Sequence, residues 1–207
     1  ISGNTSAYNG GGVFLYKQRP YTTASGKVTF LDDYTSGTGI TSMTIKATIE
    51  KNITAKSGGG AAIGCDAGLS SFPSVTVNGG VISENTAKDG NGGGIYMPGG
   101  AFTIEGDGAT ITENSAESIT TTESNGNGGG ISITNGTFSV ATNITCEVSD
   151  NEASRYGGGL YVYNPESSAK EVTFNGGIFK KNDAKAGGGI CVEGNISLTM
   201  NGNIEQN

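Results

Sequence analysis

One phrase recurs through the chain and restricts what it can fold into. An apolar residue, two variable residues and an Asn are followed by a small residue, a Gly triplet and an apolar-x-apolar step. The Asn positions are Asn4, Asn52, Asn85, Asn114, Asn151, Asn182 and Asn207, spaced 25 to 48 residues apart. Three residues before each stands Ile1, Ile49, Ile82, Ile111, Val148, Phe179 or Ile204. An Ala follows the Asn at Ala7, Ala55, Ala87, Ala116, Ala153 and Ala184, and the triplets begin at Gly10, Gly58, Gly92, Gly128, Gly157 and Gly187. Then come Val13/Leu15, Ala61/Ile63, Ile95/Met97, Ile131/Ile133, Leu160/Val162 and Ile190/Val192. A further apolar-x-apolar element closes each unit: Val28/Phe30, Val75/Val77, Phe102/Ile104, Phe138/Val140, Val172/Phe174 and Ile196/Leu198.

A recurring phrase of this length is the signature of a solenoid, in which each unit packs only on its neighbours. The period-2 patterning makes the elements strands, with no helical segment between them. Strands this short bury nothing alone, but three of them wound into a coil do so once coils stack about 4.8 Å apart. The expected fold is all-β: a single-stranded, right-handed parallel β-helix of about six coils with three short strands per coil. The 207 residues read as one solenoid segment of a longer repeat protein, since both Ile1 and Asn207 fall in mid-repeat. Uneven spacing puts the extra residues in loops leaving the coils, expected at Lys17–Gly26, Leu31–Ser42, Gly64–Ser74 and Glu117–Asn127.

The seven Asn are expected to point inward as a ladder, each amide bonded to the next coil. The Gly triplets mark tight corners, where a positive φ or a close backbone approach excludes a side chain.

Composition removes several kinds of chemistry. The chain has no His, so no imidazole base, no His metal ligand and no Ser-His-Asp triad. Its formal charge is −7, which disfavours nucleic acid and anionic membranes. No apolar run approaches the ~18 residues of a membrane span. Cys65, Cys146 and Cys191 have no metal-type spacing and allow at most one disulfide. No catalytic residue, metal site or cofactor is expected. Asp89-Gly90-Asn91-Gly92 has the look of a calcium turn, but no matching Asp recurs in other units, so it reads as a structural turn.

Function is sought on the outward positions. After the Gly triplets these are Phe14, Ala62, Tyr96, Ser132, Tyr161 and Cys191, then Tyr16, Gly64, Pro98, Thr134, Tyr163 and Glu193. Phe14, Tyr16, Tyr96, Tyr161 and Tyr163 are therefore expected to form an aromatic face able to stack on sugars or contact a protein. The closing strands give a hydroxyl column, Thr29, Thr76, Thr103, Ser139, Thr173 and Ser197. Its expected neighbour column (Leu31, Asn78, Glu105, Ala141, Asn175, Thr199) is not a second hydroxyl rank, which weighs against ice binding.

Phe179-Lys180-Lys181-Asn182 and Gly59-Gly60-Ala61 resemble the Phe-x-x-Asn and Gly-Gly-Ala-Ile repeats of the chlamydial polymorphic outer-membrane proteins, and of related adhesin-like β-helix surface proteins. The resemblance covers the whole chain. It implies an extracellular or cell-surface role in adhesion or display.

The expected function is thus a non-enzymatic secreted or cell-surface adhesin or stalk. It would present loops and the aromatic face to a host or neighbouring-cell glycan or protein, with no nucleic-acid partner and no membrane insertion. End-to-end stacking with flanking coils is a further expectation. The alternatives are a β-helix polysaccharide lyase or hydrolase, an ice-binding protein, or a filament or tail-fibre subunit. Only 2 Arg and no Asp cluster on successive units weigh against the enzyme.

Overall fold

A computed structural model describes residues 1–17, 21–24, 27–30, 42–65, 72–119 and 124–207. They form a parallel β-helix of six coils, built from four six-stranded sheets in which each strand pairs in parallel with its counterpart in the next coil. Among the described residues there is no helix.

The expected three strands per coil become four. The Asn corner is itself a short strand, as at Thr86–Ala87 and Ser115–Ala116, and these pieces pair across all six coils. Ser6, Thr54, Ala87, Ala116, Ala153 and Ala184 share one column. In the first two coils Ser6 and Thr54 thus hold the place expected for Ala7 and Ala55, which are exposed.

Register aligns equivalent side chains. Ile49, Ile82, Ile111, Val148, Phe179 and Ile204 form one column ahead of the Asn residues. Val75, Phe102, Phe138, Val172 and Leu198 form another on the closing sheet. Inside the coil these columns make one core, with Ile82, Ile95, Val75 and Phe102 fully excluded from water. Phe102 and Phe138 stack with centroids 5.6 Å apart and planes 6° apart. Large rings repeating on one wall hold successive coils in register and resist the usual sheet twist.

The Asn ladder runs the length of the solenoid. Nδ2 of Asn4, Asn52, Asn85, Asn114, Asn151 and Asn182 donates to Oδ1 of the following Asn at 2.8–3.0 Å, ending at Asn207. The second Nδ2 proton reaches back to the carbonyl of the apolar residue one coil earlier, as in Asn85 to Ile49 and Asn114 to Ile82. Side chains this polar sit in the core at little cost because their donors and acceptors are paired.

Each triplet carries its glycines for two different reasons. Gly92 has φ 66° and turns the corner. Gly93 has no positive φ, but a Cβ there would stand 2.4 Å from the carbonyl oxygen of Gly129 in the next coil.

The closing sheet departs from the sequence reading at both ends. Val28/Phe30 do not close the first coil. Lys27–Phe30 instead pairs antiparallel with Tyr21–Ala24, a strand that falls within the expected Lys17–Gly26 loop. Ser42–Ile45 takes the place in the closing sheet, with Met43 beside Val75. In the last coil Leu198/Met200, not Ile196/Leu198, align with Val172/Phe174. The outward column is therefore Thr44, Thr76, Thr103, Ser139, Thr173 and Thr199 rather than one running from Thr29 to Ser197. Of the other expected loops, 31–41, 66–71 and 120–123 lie outside the described residues.

Candidate functional site

The sheet that follows the Gly triplets carries the aromatic positions, and its register matches the sequence reading. Phe14, Ala62, Tyr96, Ser132, Tyr161 and Cys191 are aligned, as are Thr134, Tyr163 and Glu193. The five aromatics nevertheless form two separate groups.

Phe14 and Tyr16 belong to the first coil. Their rings lie 5.6 Å apart at 35° and are 50% and 41% exposed. Both lean over Gly64 of the next coil, where a Cβ would meet Tyr16 at 2.9 Å and Phe14 at 3.1 Å. The missing side chain lets the rings settle against the sheet.

Tyr96, Tyr161 and Tyr163 converge with Tyr156, Thr134, Arg155 and Glu193 around a groove of about 780 Å³. Ser124, Asn125 and Asn127, the far end of the expected 117–127 loop, supply its polar rim. Three rings run in file across the floor. Tyr156 and Tyr161 are 6.2 Å apart at 27°, and Tyr161 and Tyr163 are 6.5 Å apart at 19°. The Arg155 guanidinium lies 4.9 Å from the Tyr156 ring centroid, which extends the file with a cation on a π face.

Tyr161 faces outward from its strand but is 8% exposed, so it is a packed wall of the groove rather than an open platform. Its hydroxyl donates to Glu193 Oε2 at 2.8 Å. Burial first, and the Glu193 carboxylate second, push this phenol well above the usual tyrosine range. Burial also raises the Tyr96 phenol. The Cys191 thiol is raised by burial and then by Glu193, which makes it a poor nucleophile. Tyr96, Tyr156 and Tyr163 are half-buried and leave ring surface open to a ligand.

Sequence reasoning missed Tyr156. It occupies the position before a Gly triplet, where other coils carry Asn9, Ser57, Asn91 and Asn127. Those polar residues bond one another across coils: Asn127 N and Nδ2 both donate to Asn91 Oδ1 at 3.0 Å, and Asn91 N donates to Ser57 Oγ at 3.0 Å. The break from amide to phenol at Tyr156 was the available signal.

In the turn at Asp89 the carboxylate pairs with a lysine of the preceding coil. Lys56 Nζ lies 2.9 Å from Asp89 Oδ2, and that hydrogen-bonded cation holds the carboxyl below its ordinary range. Among the described residues no group of three or more His, Cys, Asp or Glu could hold a metal ion. Cys146 and Cys191 are both free thiols. Among the same residues no helix is long and apolar enough to cross a membrane.

Neither a protein-family model, nor a curated protein, nor a solved structure matches the chain.

Proposed function

We propose that this solenoid is a non-enzymatic adhesin or stalk module, secreted or held at the cell surface, and that its tyrosine groove takes a glycan. The carrying observation is the file Arg155–Tyr156–Tyr161–Tyr163 with Tyr96 alongside and amide side chains on the rim. Sugars offer apolar C–H faces and hydroxyl edges. A groove with aromatic walls and a few directed polar groups complements both. Asn125, Asn127, Thr134 and Glu193 would fix orientation through hydroxyl contacts.

The scaffold supports display. Six coils at about 4.8 Å give a rod segment roughly 30 Å tall, and a parallel stack lengthens by adding coils without redesign. The repeat phrase resembles that of the polymorphic outer-membrane proteins and related surface adhesins, which supports reading this chain as a display module. Phe14 and Tyr16, the exposed pair on the same sheet, form a second contact point for a glycan or protein.

A glycan-array screen of the 207-residue chain tests the proposal. Binding to a defined glycan class, lost in Tyr96→Ala/Tyr163→Ala while the circular dichroism spectrum is kept, is the expected result. Tyr161→Ala is a less clean variant because that ring is packed. Equal binding by the double variant would overturn the groove assignment. Release of unsaturated uronate from polygalacturonate would overturn the non-enzymatic reading.

A further inference from the structure

The closing sheet presents a second, chemically different surface. Its corrected register produces the rank Thr44 to Thr199, in which every coil carries a hydroxyl. Two residues earlier on the same strands lies a parallel rank: Ser42, Ser74, Ala101, Thr137, Glu171 and Ser197. Residues two apart on a strand share a face, so both ranks point outward. All twelve positions are exposed or half-buried, while the residues between the ranks, such as Val75, Phe102 and Phe138, are in the core. The two ranks therefore form a hydroxyl strip, interrupted only by Ala101 and Glu171 and bordered on the same strands by Asn78 and Glu105.

The geometry points to this face as an ice-binding surface, independent of the tyrosine groove. Its repeat is about 4.8 Å from coil to coil and about 6.6 Å between ranks. In a tetrahedral water network with O–H···O bonds of about 2.75 Å, second-neighbour oxygens are about 4.5 Å apart. The mismatch along a rank is about 0.3 Å per coil, so it stays near 0.75 Å at either end when the centre is in register. Two hydroxyls in the middle of the rank are linked to each other. Ser139 Oγ donates to Thr103 Oγ1 at 3.1 Å, and β-branched Thr is stiff at χ1. Such preorganisation lowers the entropy cost of ordering water on the face. The stacked Phe102 and Phe138 rings lie beneath the rank, a side-chain ladder of the kind that resists sheet twist. Uncharged hydroxyls, with Glu171 the one carboxylate in the two ranks, match a surface that is itself uncharged and built of donors and acceptors. Many weak contacts made together then give lasting attachment.

Thermal hysteresis and ice-recrystallisation inhibition of the 207-residue chain test this. The wild type is expected to hold ice growth below the melting point and to shape crystals into facets. Thr103→Tyr/Thr173→Tyr, which keeps strand propensity but breaks the flat rank, should need about tenfold more protein for the same inhibition. Thr103→Val/Thr173→Val preserves shape without the hydroxyls, so it isolates their role if the bulky variant fails to fold; it should also lose activity. Tyr163→Ala, in the groove, should leave the ice readout unchanged. No hysteresis in the wild type, or full activity in both folded double variants, would overturn the inference. So would adsorption to microcrystalline cellulose without ice activity, which would give the face to a polysaccharide surface.

Discussion

Asn85 Nδ2 donates to Asn114 Oδ1 at 2.9 Å, and the Asn85 backbone N–H donates to the same oxygen at 3.1 Å. One side-chain oxygen thus closes a backbone corner and a side-chain rung together. Asn114 in turn donates to Ile82 O and to Asn151 Oδ1. The amide is the smallest group with an acceptor and two donors on one planar head, which is why Asn fills this column.

Replacing Asn114 by Ala should therefore be costly. It is 1% exposed, and its loss orphans the Asn85 N–H and one Asn85 Nδ2 proton and removes a donor from Ile82 O, Thr112 O and Asn151 Oδ1. At about 1–3 kcal/mol for each buried group left unpaired, a loss of roughly 3–4 kcal/mol is expected. Asn207→Ala, at an exposed rung, should cost about 1 kcal/mol. Urea denaturation of the two variants measures the difference. An Asn114→Ala midpoint equal to that of Asn207→Ala would show that the rungs add no buried bonding.

The residue before each interior Asn carries the strain of the corner. Lys51, Glu84, Glu113, Asp150 and Lys181 all have φ between 52° and 56°, a left-handed conformation that costs a side chain about 1–2 kcal/mol. Glu113→Gly removes that cost but adds freedom to the unfolded chain, so stability should stay within about 1 kcal/mol of wild type. Glu113→Val puts a β-branched residue there and should lose about 2 kcal/mol. Denaturation midpoints in the order Gly, Glu, Val, from equal or highest to lowest, are expected. A Val variant as stable as wild type would mean that the corner relaxes out of the left-handed region.

The coil count, the Asn ladder and the register of the post-glycine sheet were all legible, because Asn85, Gly92 and Ile95 repeat in unbroken phrase. The first coil was not. Val28/Phe30 and Met43/Ile45 both show apolar alternation, and alternation reports a half-buried strand without naming its partner. The turn dipeptide Ser25-Gly26 just before Lys27 was the signal in the sequence that separates them. The last coil slipped by two residues for a related reason: Ile196, Leu198 and Met200 are all apolar, so period 2 fits either register. A two-residue slip keeps every side chain on its face, so no inside-out penalty flags the error. Those two errors put Thr29 and Ser197 at the ends of the hydroxyl column where Thr44 and Thr199 stand, and left the rank two residues earlier unread. Tyr161 was read as outward, which is true of its strand, but its burial depends on Tyr156 and Tyr163 flanking it, and only coordinates show that.

The Tyr161–Glu193 pair gives the groove a signature in alkali. An unfolded tyrosine ionises near pH 10, whereas burial and the adjacent Glu193 carboxylate keep Tyr161 protonated well beyond that in the folded chain. The unfolded state therefore releases its proton first. The contribution of this phenol to stability is fully present below pH 10 and is lost as the pH climbs from there toward the folded-state value. Ultraviolet titration should show the phenols of Tyr161 and Tyr96 lagging, and the urea midpoint should fall above pH 10. Glu193→Gln removes the carboxylate but leaves the burial, so the lag and the fall should both shrink without vanishing. If Tyr161 instead ionises near pH 10 in the folded protein, water reaches its hydroxyl, and the closed file of rings on which the glycan groove depends does not exist in solution.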